Sequence, residues 1–304
     1  MPRTARIKSC NSIYHIMCRS ISEVILFRDN KDKNKYLQLV KKYQDIFAFK
    51  VYCYCLMNTH CHIAIDANGA DISKIFHGIN QSYAHYFNKK YNRHGHVFQD
   101  RFKSKIVDKD SYLLVLSGYI HCNPISIKKY KNCIEKYQFS SLGVYLGIQE
   151  DNLNLIDKEF IMSHFSEKKI KAEKLYLEFV KNCEKNSISA DIEFKDENTE
   201  YTSCRSILPR DHSIEKIIEF VVNKTCSSEN MLKMKNCCSA TEARALFVFL
   251  MRSLCNYSYK DICNIIGNLT ESRVSSLCVL GMNLTKYKEN YHNLIYEFIN
   301  NPAA

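Results

Sequence analysis

The stretch at residues 53–66, CYCLMNTHCHIAID, decides how the first half of this chain folds. Two apolar, β-prone runs flank Asn58 and Thr59, and an asparagine tolerates the positive φ of a tight hairpin turn. The stretch therefore predicts two antiparallel strands, residues 49–57 and 61–66. His60 and His62 are two residues apart, so their side chains project from one face of the second strand.

Two imidazoles on one strand face have two interpretations. Side by side they bind one divalent ion, but a His-x-His pattern alone is a weak signal, and an ordinary pair of surface or core histidines fits it as well. Cys61 points to the opposite face, so it is a poor ligand candidate. Cys53 and Cys55 are interpreted as core residues, because the cysteines of this chain show no zinc-binding spacing.

The flanking sequence predicts the order β-α-β-β-α-β-α over residues 12–121. Residues 12–19 and part of 91–107 are β-prone, whereas residues 32–47, 71–91 and 110–121 have the apolar spacing of helices. Asp71 is the expected N-cap of the second helix. This order is typical of an α+β, ferredoxin-like fold, an antiparallel sheet with helices on one face and with His60 and His62 on a central strand.

The rest of the chain is predicted to form two further parts. Residues 149–205 are expected to be a helical connector, with a helix at 159–182 and a linker at 187–203. Residues 206–300 are expected to form an all-α domain, with helices at 212–225, 239–254, 259–266 and 270–280. The last two helices and Gly267 between them have the length of a helix-turn-helix, although an ordinary helical hairpin has the same pattern. The expected domains are therefore 1–148, 149–205 and 206–300.

The positive charge of the chain is concentrated in its first half. The formal net charge is +11, and residues 1–148 carry 23 Lys and Arg against 10 Asp and Glu. A polyanionic partner such as nucleic acid fits this distribution, and a lysine-rich surface that keeps the protein soluble is the alternative. The chain has no apolar run of about 18 residues and no signal peptide is evident, so we expect a cytoplasmic protein with free thiols and no membrane partner.

Tyr119 and Asn123 are the candidate partners of the two histidines. They lie four residues apart on the predicted third helix and therefore share a face. If His60 and His62 bind Mg²⁺ or Mn²⁺ beside a phosphodiester, the hydroxyl of Tyr119 is a candidate nucleophile and Asn123 a candidate third ligand. Because the chain has 20 tyrosines, composition alone does not select Tyr119.

Two longer motifs in residues 1–146 resemble those of a known family. MNTHCHIAI and GHVFQDRFKSKIVDKDSYLLVLSGYIHCNPI are similar to the HUH and tyrosine segments of the REP-associated tyrosine transposases, a type of single-tyrosine HUH transposase. The resemblance implies cleavage and rejoining of hairpin-bearing single-stranded DNA in a bacterial cytoplasm, by a monomer or homodimer. It implies that Tyr119 forms a 5′-phosphotyrosine and that His60, His62 and, more weakly, Asn123 bind the divalent metal.

The same resemblance implies DNA contacts from residues of the first half. These are Arg19, His96, Gln99, Arg101 and Lys103. The chain departs from the family in two loops, with Asn58 and Thr59 where Pro-Asn is usual, and residues 19–21 in place of Arg-Gly-Asn. Neither departure removes a group that the chemistry requires, but both affect loop geometry and DNA preference.

The tail has a resemblance of its own. Residues 213–277 are similar to the C-terminal DNA-binding domain of the replication initiator DnaA, which implies a helix-turn-helix that reads duplex DNA through Arg273. The usual Arg-Asp-His of that domain is missing, so its sequence preference is not carried over. A non-catalytic DNA-binding regulator is the competing hypothesis for the whole chain. A hydrolase of small phosphoesters is disfavoured by the basic first half and by the tail.

Overall fold

The computed structural model describes residues 12–22, 24–107, 109–185, 207–234 and 238–300. The chain forms two compact units, one of Met1–Gln44 and Phe49–Ile207 and the other of Asp45–Ala48 and Leu208–Ala304. No helix within the described ranges is long and apolar enough to cross a membrane.

The first unit is built on a four-stranded antiparallel sheet with the strand order β2-β3-β1-β4. Its elements follow the chain as β1 (Ile13–Arg19), α1 (Asn30–Phe47), β2 (Lys50–Leu56), β3 (His60–Asp66), α2 (Ile72–Lys90), β4 (Lys103–Val107) and α3 (Asp110–Cys122). This is the ferredoxin-like order, and the α+β prediction is confirmed. Because β3 lies between β2 and β1, His60 and His62 are on a central strand, as expected.

Helices lie on both faces of the sheet. Cys18 and Cys61 are opposite one another in the β1–β3 pair, and the Cys18 thiol meets the Tyr36 hydroxyl of α1 at 3.6 Å and the Asn80 amide of α2 at 3.3 Å. The alternate residues face α3, which contacts β2, β3 and β4. The two crossover helices share a face, as right-handed connections require. The final helix belongs to no crossover, so the prediction of helices on one face holds for α1 and α2 but not for α3.

The hairpin turn before His60 is held by one backbone hydrogen bond within the hairpin and by two from outside it. The Met57 N–H donates to the His60 carbonyl and closes the turn at 2.8 Å. The Phe27 N–H donates to the Asn58 carbonyl and the Ser20 N–H donates to the Thr59 carbonyl. The last two bonds hold the turn, and His60 after it, against Phe27 and the end of β1.

The predicted helix at 159–182 is split into α5 (Glu159–Met162) and α6 (Lys169–Lys185), after the short α4 (Leu142–Tyr145). α6 packs against α3, and a Cβ atom on Gly118 would lie 2.7 Å from the Cys183 Sγ. A glycine at this position therefore allows the two helices to approach closely. The helix expected in the connector thus belongs to the first unit, and the predicted linker at 187–203 lies outside the described residues.

The second unit is helical. Its helices are α7 (Ile214–Thr225), α8 (Glu229–Lys233), α9 (Thr241–Leu254), α10 (Tyr259–Ile266), α11 (Glu271–Tyr287) and α12 (Leu294–Ile299). Gly267 ends α10 with a φ of 81°, and Thr270 caps α11 by accepting from the Arg273 N–H. The predicted helix, short turn and helix are present. α11 runs seven residues beyond its expected end, and Gly281 in this extension lies close against the α9 backbone at Ala245.

Candidate active site

His60 and His62 project from β3 towards α3. The side chain of His62 is buried and that of His60 is half-buried. Their ring centroids are 5.3 Å apart, and the Tyr119 ring of α3 meets the His62 ring edge-on at 5.5 Å. The two histidines therefore face the tyrosine helix and not the core formed with α1 and α2. We call His60, His62, Tyr119 and Asn123 the active-site cluster.

Asn123 connects the end of α3 to β3. Its Nδ2 atom donates to the carbonyls of Tyr119 at 3.0 Å and Ile120 at 3.3 Å in the last turn of α3, where the Ile120 carbonyl also accepts from the Asn123 backbone N–H. Since a carbonyl accepts only, the NH₂ group must point to the helix and the Oδ1 atom away from it. The Asn123 side chain also lies close enough to His60 to raise the pKa of that imidazole. The structure thus brings Asn123 to the histidines, one helical turn from Tyr119.

His15 of β1 is a further member of this site that the sequence did not single out. It is fully buried, its ring stacks on that of His62 with centroids 5.1 Å apart, and its Nε2 atom lies 2.9 Å from the His62 Nδ1 atom. It also lies edge-on to Tyr119 at 6.1 Å. The β1–β3 register, which pairs Met17 with His62, brings His15 diagonally next to that histidine. Strand alternation gives the face of His15, but nothing local in the sequence gives the register.

Burial keeps the imidazoles of this site neutral. It lowers the pKa of His15 to about 3, with a contribution from the charge of Lys105. It lowers the pKa of His62 well below its ordinary value, with further contributions from His15 and His60. The pKa of His60 is also lowered by burial, and Asn123 opposes this shift while Arg19 adds to it. Neutral imidazole is the form that binds a metal ion.

A basic rim borders the active-site cluster on the same face of the sheet. It consists of Arg19, Lys103 and Lys105, of which the first two are exposed. Arg19 pairs with His60, and Lys105 pairs with His15, so these side chains share a face with the histidines. The structure therefore brings the predicted contacts Arg19 and Lys103 together with the active-site cluster.

Three other predicted DNA contacts lie elsewhere. His96, Gln99 and Arg101 line a surface cavity of about 1250 Å³ between α2 and residues 95–102. Asn80 also lines this cavity, and Asn80 contacts Cys18 on the sheet face that α2 covers. This cavity is lined by no member of the active-site cluster, although the Gln99 N–H donates to the carbonyl of Arg19 in the basic rim at 3.0 Å. The remaining predicted contact, Arg273, is exposed in the first turn of α11 in the second unit.

The donors of the active-site cluster suit a divalent ion. Within the described ranges, no group of three or more His, Cys, Asp and Glu side chains has the geometry of a metal site. The active-site cluster instead offers two neutral imidazoles and the amide oxygen of Asn123. Imidazole is a general ligand of divalent transition metals, and amide oxygen suits harder ions such as Mg²⁺ and Mn²⁺.

Comparisons with known proteins found one family model and one solved structure that are similar to the first unit. Residues 8–123 match the family model described as "Transposase IS200 like". A solved structure described as a REP-associated tyrosine transposase bound to a REP hairpin is similar at 14% identity, with 49% of this chain and 89% of that chain covered and a TM-score of 0.42. No curated protein matches the chain. The matched family segment contains the whole active-site cluster and His15.

Proposed function

We propose that the first unit, whose residues 8–123 match the model of the IS200-like transposases, is a transposase that cleaves and rejoins hairpin-bearing single-stranded DNA through Tyr119. The observation that carries this proposal is the position of Tyr119 against His62, with ring centroids 5.5 Å apart, on a sheet face bordered by the basic rim. A phosphodiester bound along that rim would lie within reach of both the tyrosine and the imidazoles.

The proposed reaction is a reversible phosphoryl transfer. The Tyr119 hydroxyl oxygen forms a bond to phosphorus and the bond from phosphorus to the 3′-oxygen breaks. The tyrosine proton is lost and the 3′-oxygen gains one, which leaves a 5′-phosphotyrosine and a free 3′-OH. Attack by a 3′-OH on the phosphotyrosine reverses these steps and joins the strands. One phosphoester is exchanged for another, so the reaction needs no nucleotide cofactor.

We assign the metal to His60, His62 and the Oδ1 atom of Asn123. A bound Mg²⁺ or Mn²⁺ supplies a Lewis acid that polarises a phosphoryl oxygen. The protein contributes position, because Tyr119 and Asn123 are one turn apart on α3 and Asn123 is fixed by its bonds to that helix. Holding the nucleophile and the phosphate in a fixed geometry is where phosphoryl transfer gains most of its rate.

DNA binding is proposed for three separate surfaces. The basic rim neutralises phosphates next to the cleaved bond. The cavity lined by His96, Gln99 and Arg101 has side chains that hydrogen-bond bases or phosphates on the α2 side of the sheet. In the second unit, which we propose as a separate DnaA-like module within residues 206–300, Arg273 at the start of α11 contacts duplex DNA. These roles fit a cytoplasmic protein that acts as a monomer or homodimer.

The test is a covalent adduct. Wild-type protein, Mg²⁺ and a labelled library of single-stranded hairpins should give a protein–DNA band that survives denaturing electrophoresis. Tyr119→Phe should abolish this band and retain DNA binding, because it removes the nucleophile alone. Tyr112→Phe, on the same helix, is the matched control and should retain the band. A wild-type protein that binds hairpins and never forms an adduct would refute the proposal.

A non-catalytic DNA-binding regulator is the second candidate. The exposed Arg273 at the start of α11, after a four-residue turn at 267–270, favours it because such a module suffices for DNA binding. This function predicts that His60→Ala and Tyr119→Phe leave every measurable DNA property unchanged. The adduct experiment therefore separates the two candidates.

A further inference from the structure

We propose that His15 and Thr59 are positioning residues that hold the Nδ1 atoms of His62 and His60, and thereby present both Nε2 atoms to the divalent ion. This inference rests on the proposed function, because it concerns the same two ligands. It assigns a role to a buried side chain on β1 and to a hydroxyl in the β2–β3 turn.

The first contact joins His15 to His62. The His15 Nε2 and His62 Nδ1 atoms are 2.9 Å apart, which is a hydrogen-bond distance, and the rings stack with an interplanar angle of 27°. His15 is fully buried and His62 is 4% exposed, so solvent water has little access to this bond. The Nδ1 atom of His62 is therefore engaged by the protein.

The second contact joins Thr59 to His60. The Thr59 Oγ1 atom lies 3.1 Å from the His60 Nδ1 atom. The Thr59 carbonyl accepts from both the N–H and the hydroxyl of Ser20, at 3.0 and 3.1 Å, so the backbone that carries this hydroxyl is fixed to the end of β1. Each ligand ring thus has a protein partner at its Nδ1 atom, in a buried contact for His62 and in an exposed one for His60.

The partner at Nδ1 determines which ring nitrogen carries the proton, and therefore which nitrogen can bind a metal ion. A neutral imidazole has one proton, and the nitrogen without it carries the lone pair that binds a metal. If His62 donates its Nδ1 proton to the His15 Nε2 atom, the His62 Nε2 atom is free to bind. The reverse arrangement would place the proton on the His62 Nε2 atom and block it. The Thr59 hydroxyl accepts from the His60 Nδ1–H in the same manner. Partners of this kind orient metal-binding histidines in proteins.

The experiment uses the full chain with ¹⁵N-labelled histidine. Long-range ¹H–¹⁵N spectra of the metal-free protein report which nitrogen of each ring is protonated. Wild type should show His60 and His62 protonated at Nδ1. His15→Leu should move the His62 proton to Nε2, and Thr59→Val should do the same at His60. His15→Gln and Thr59→Ser, which keep an acceptor oxygen, are the matched controls and should preserve the wild-type pattern.

A second readout is the affinity for Mn²⁺ measured by calorimetry. We expect the Kd to rise about 10- to 100-fold in His15→Leu and Thr59→Val and to stay close to wild type in the two controls. Unchanged ring protonation and unchanged Kd in His15→Leu and Thr59→Val would overturn the inference. If His15→Leu does not fold, as judged by circular dichroism, the exposed Thr59→Val variant and the wild-type His62 spectrum still decide it.

The two levels of the proposal fail in distinguishable ways. If Mn²⁺ does not broaden the His60 and His62 signals of wild type, the proposed metal site is refuted. If either ring of wild type is protonated at Nε2, the positioning role is refuted. If Mn²⁺ broadens both signals and the His15 and Thr59 variants bind it as wild type does, the metal site stands and positioning fails.

Discussion

Asn123 shows how one side chain serves both a helix end and a site. Its NH₂ group donates to the carbonyls of Tyr119 and Ile120, so its Oδ1 atom points away from the helix, and the side chain raises the pKa of His60. The orientation of the proposed third ligand is therefore determined by the helix that carries the proposed nucleophile. A change at Asn123 should affect the metal and leave the rest of the fold in place.

For Asn123→Ala we expect the Kd for Mn²⁺ to rise by about tenfold or more, because the variant lacks the amide oxygen that completes the set with His60 and His62. Because the variant binds the metal more weakly, it should form less adduct than wild type at limiting Mn²⁺. In excess Mn²⁺ its adduct formation should recover. Calorimetry and the adduct assay check both effects. Ser126→Ala, three residues further along the chain, is the control, and equal Kd values for the two variants would contradict the ligand role.

At the scale of elements, α3 is held between the sheet and α6 by a buried histidine. The Nδ1 atom of His121 lies 2.7 Å from the Tyr176 hydroxyl of α6, and its Nε2 atom lies 2.7 Å from the Ser141 hydroxyl. Ser141 in turn accepts from the Tyr54 N–H of β2 at 2.9 Å. This chain of hydrogen bonds sets the position of α3, and with it the position of Tyr119, against the sheet.

The same histidine makes the first unit sensitive to acid. Burial lowers the pKa of His121 to about 3, below the value near 6.5 of an unfolded chain. The unfolded state binds more protons between these values, so this contribution to stability is complete above about pH 6.5 and is lost as the pH falls towards 3. The loss is about 1.4 kcal/mol per pH unit for one such group.

We therefore expect the free energy of unfolding to fall from pH 7 to pH 4, and to fall less in His121→Gln than in wild type. Wild type also has His15 and His62 buried, so the variant should keep part of the acid dependence. Urea titrations at four pH values measure the difference. Parallel curves for wild type and variant would show that His121 does not contribute.

At the scale of the whole molecule, the positive charge is concentrated in the first half of the chain. The first 148 residues carry 23 Lys and Arg against 10 Asp and Glu, while residues 149–200 carry 8 against 13. Within the first unit, the basic rim lies on the face of the active-site cluster. The proposed phosphate contacts at this rim would release counterions, so their number can be read from the salt dependence of binding.

Replacing Arg19, Lys103 and Lys105 by Gln should reduce the slope of log K against log salt by about 2, at about 0.7 for each phosphate contact with a single strand. Fluorescence anisotropy of a labelled hairpin at several salt concentrations measures this slope. The control replaces Lys31, Lys35 and Lys42 of α1 by Gln, which removes the same charge from the other face. Equal slopes in the two triple variants would argue against binding at the basic rim.

Much of the fold was predictable because its determinants are local. Asp71 was expected to cap α2, and its carboxylate accepts from the Ser73 N–H two residues away. The Asn58–Thr59 turn and the alternation around His60 and His62 were likewise predicted from neighbouring residues. The side of the sheet that α3 occupies was not, because a helix outside a crossover has no handedness rule to place it.

Residue patterns along the chain are enough to predict the order of strands and helices, the shared face of His60 and His62, and the one-turn spacing of Tyr119 and Asn123. These follow from the backbone periods of 2 and 3.6 residues. Only the folded chain shows that His15 contacts His62 and that His96, Gln99 and Arg101 line a cavity between α2 and residues 95–102. Those relations depend on strand register and on packing between residues far apart in the chain, which side-chain alternation along one strand does not encode.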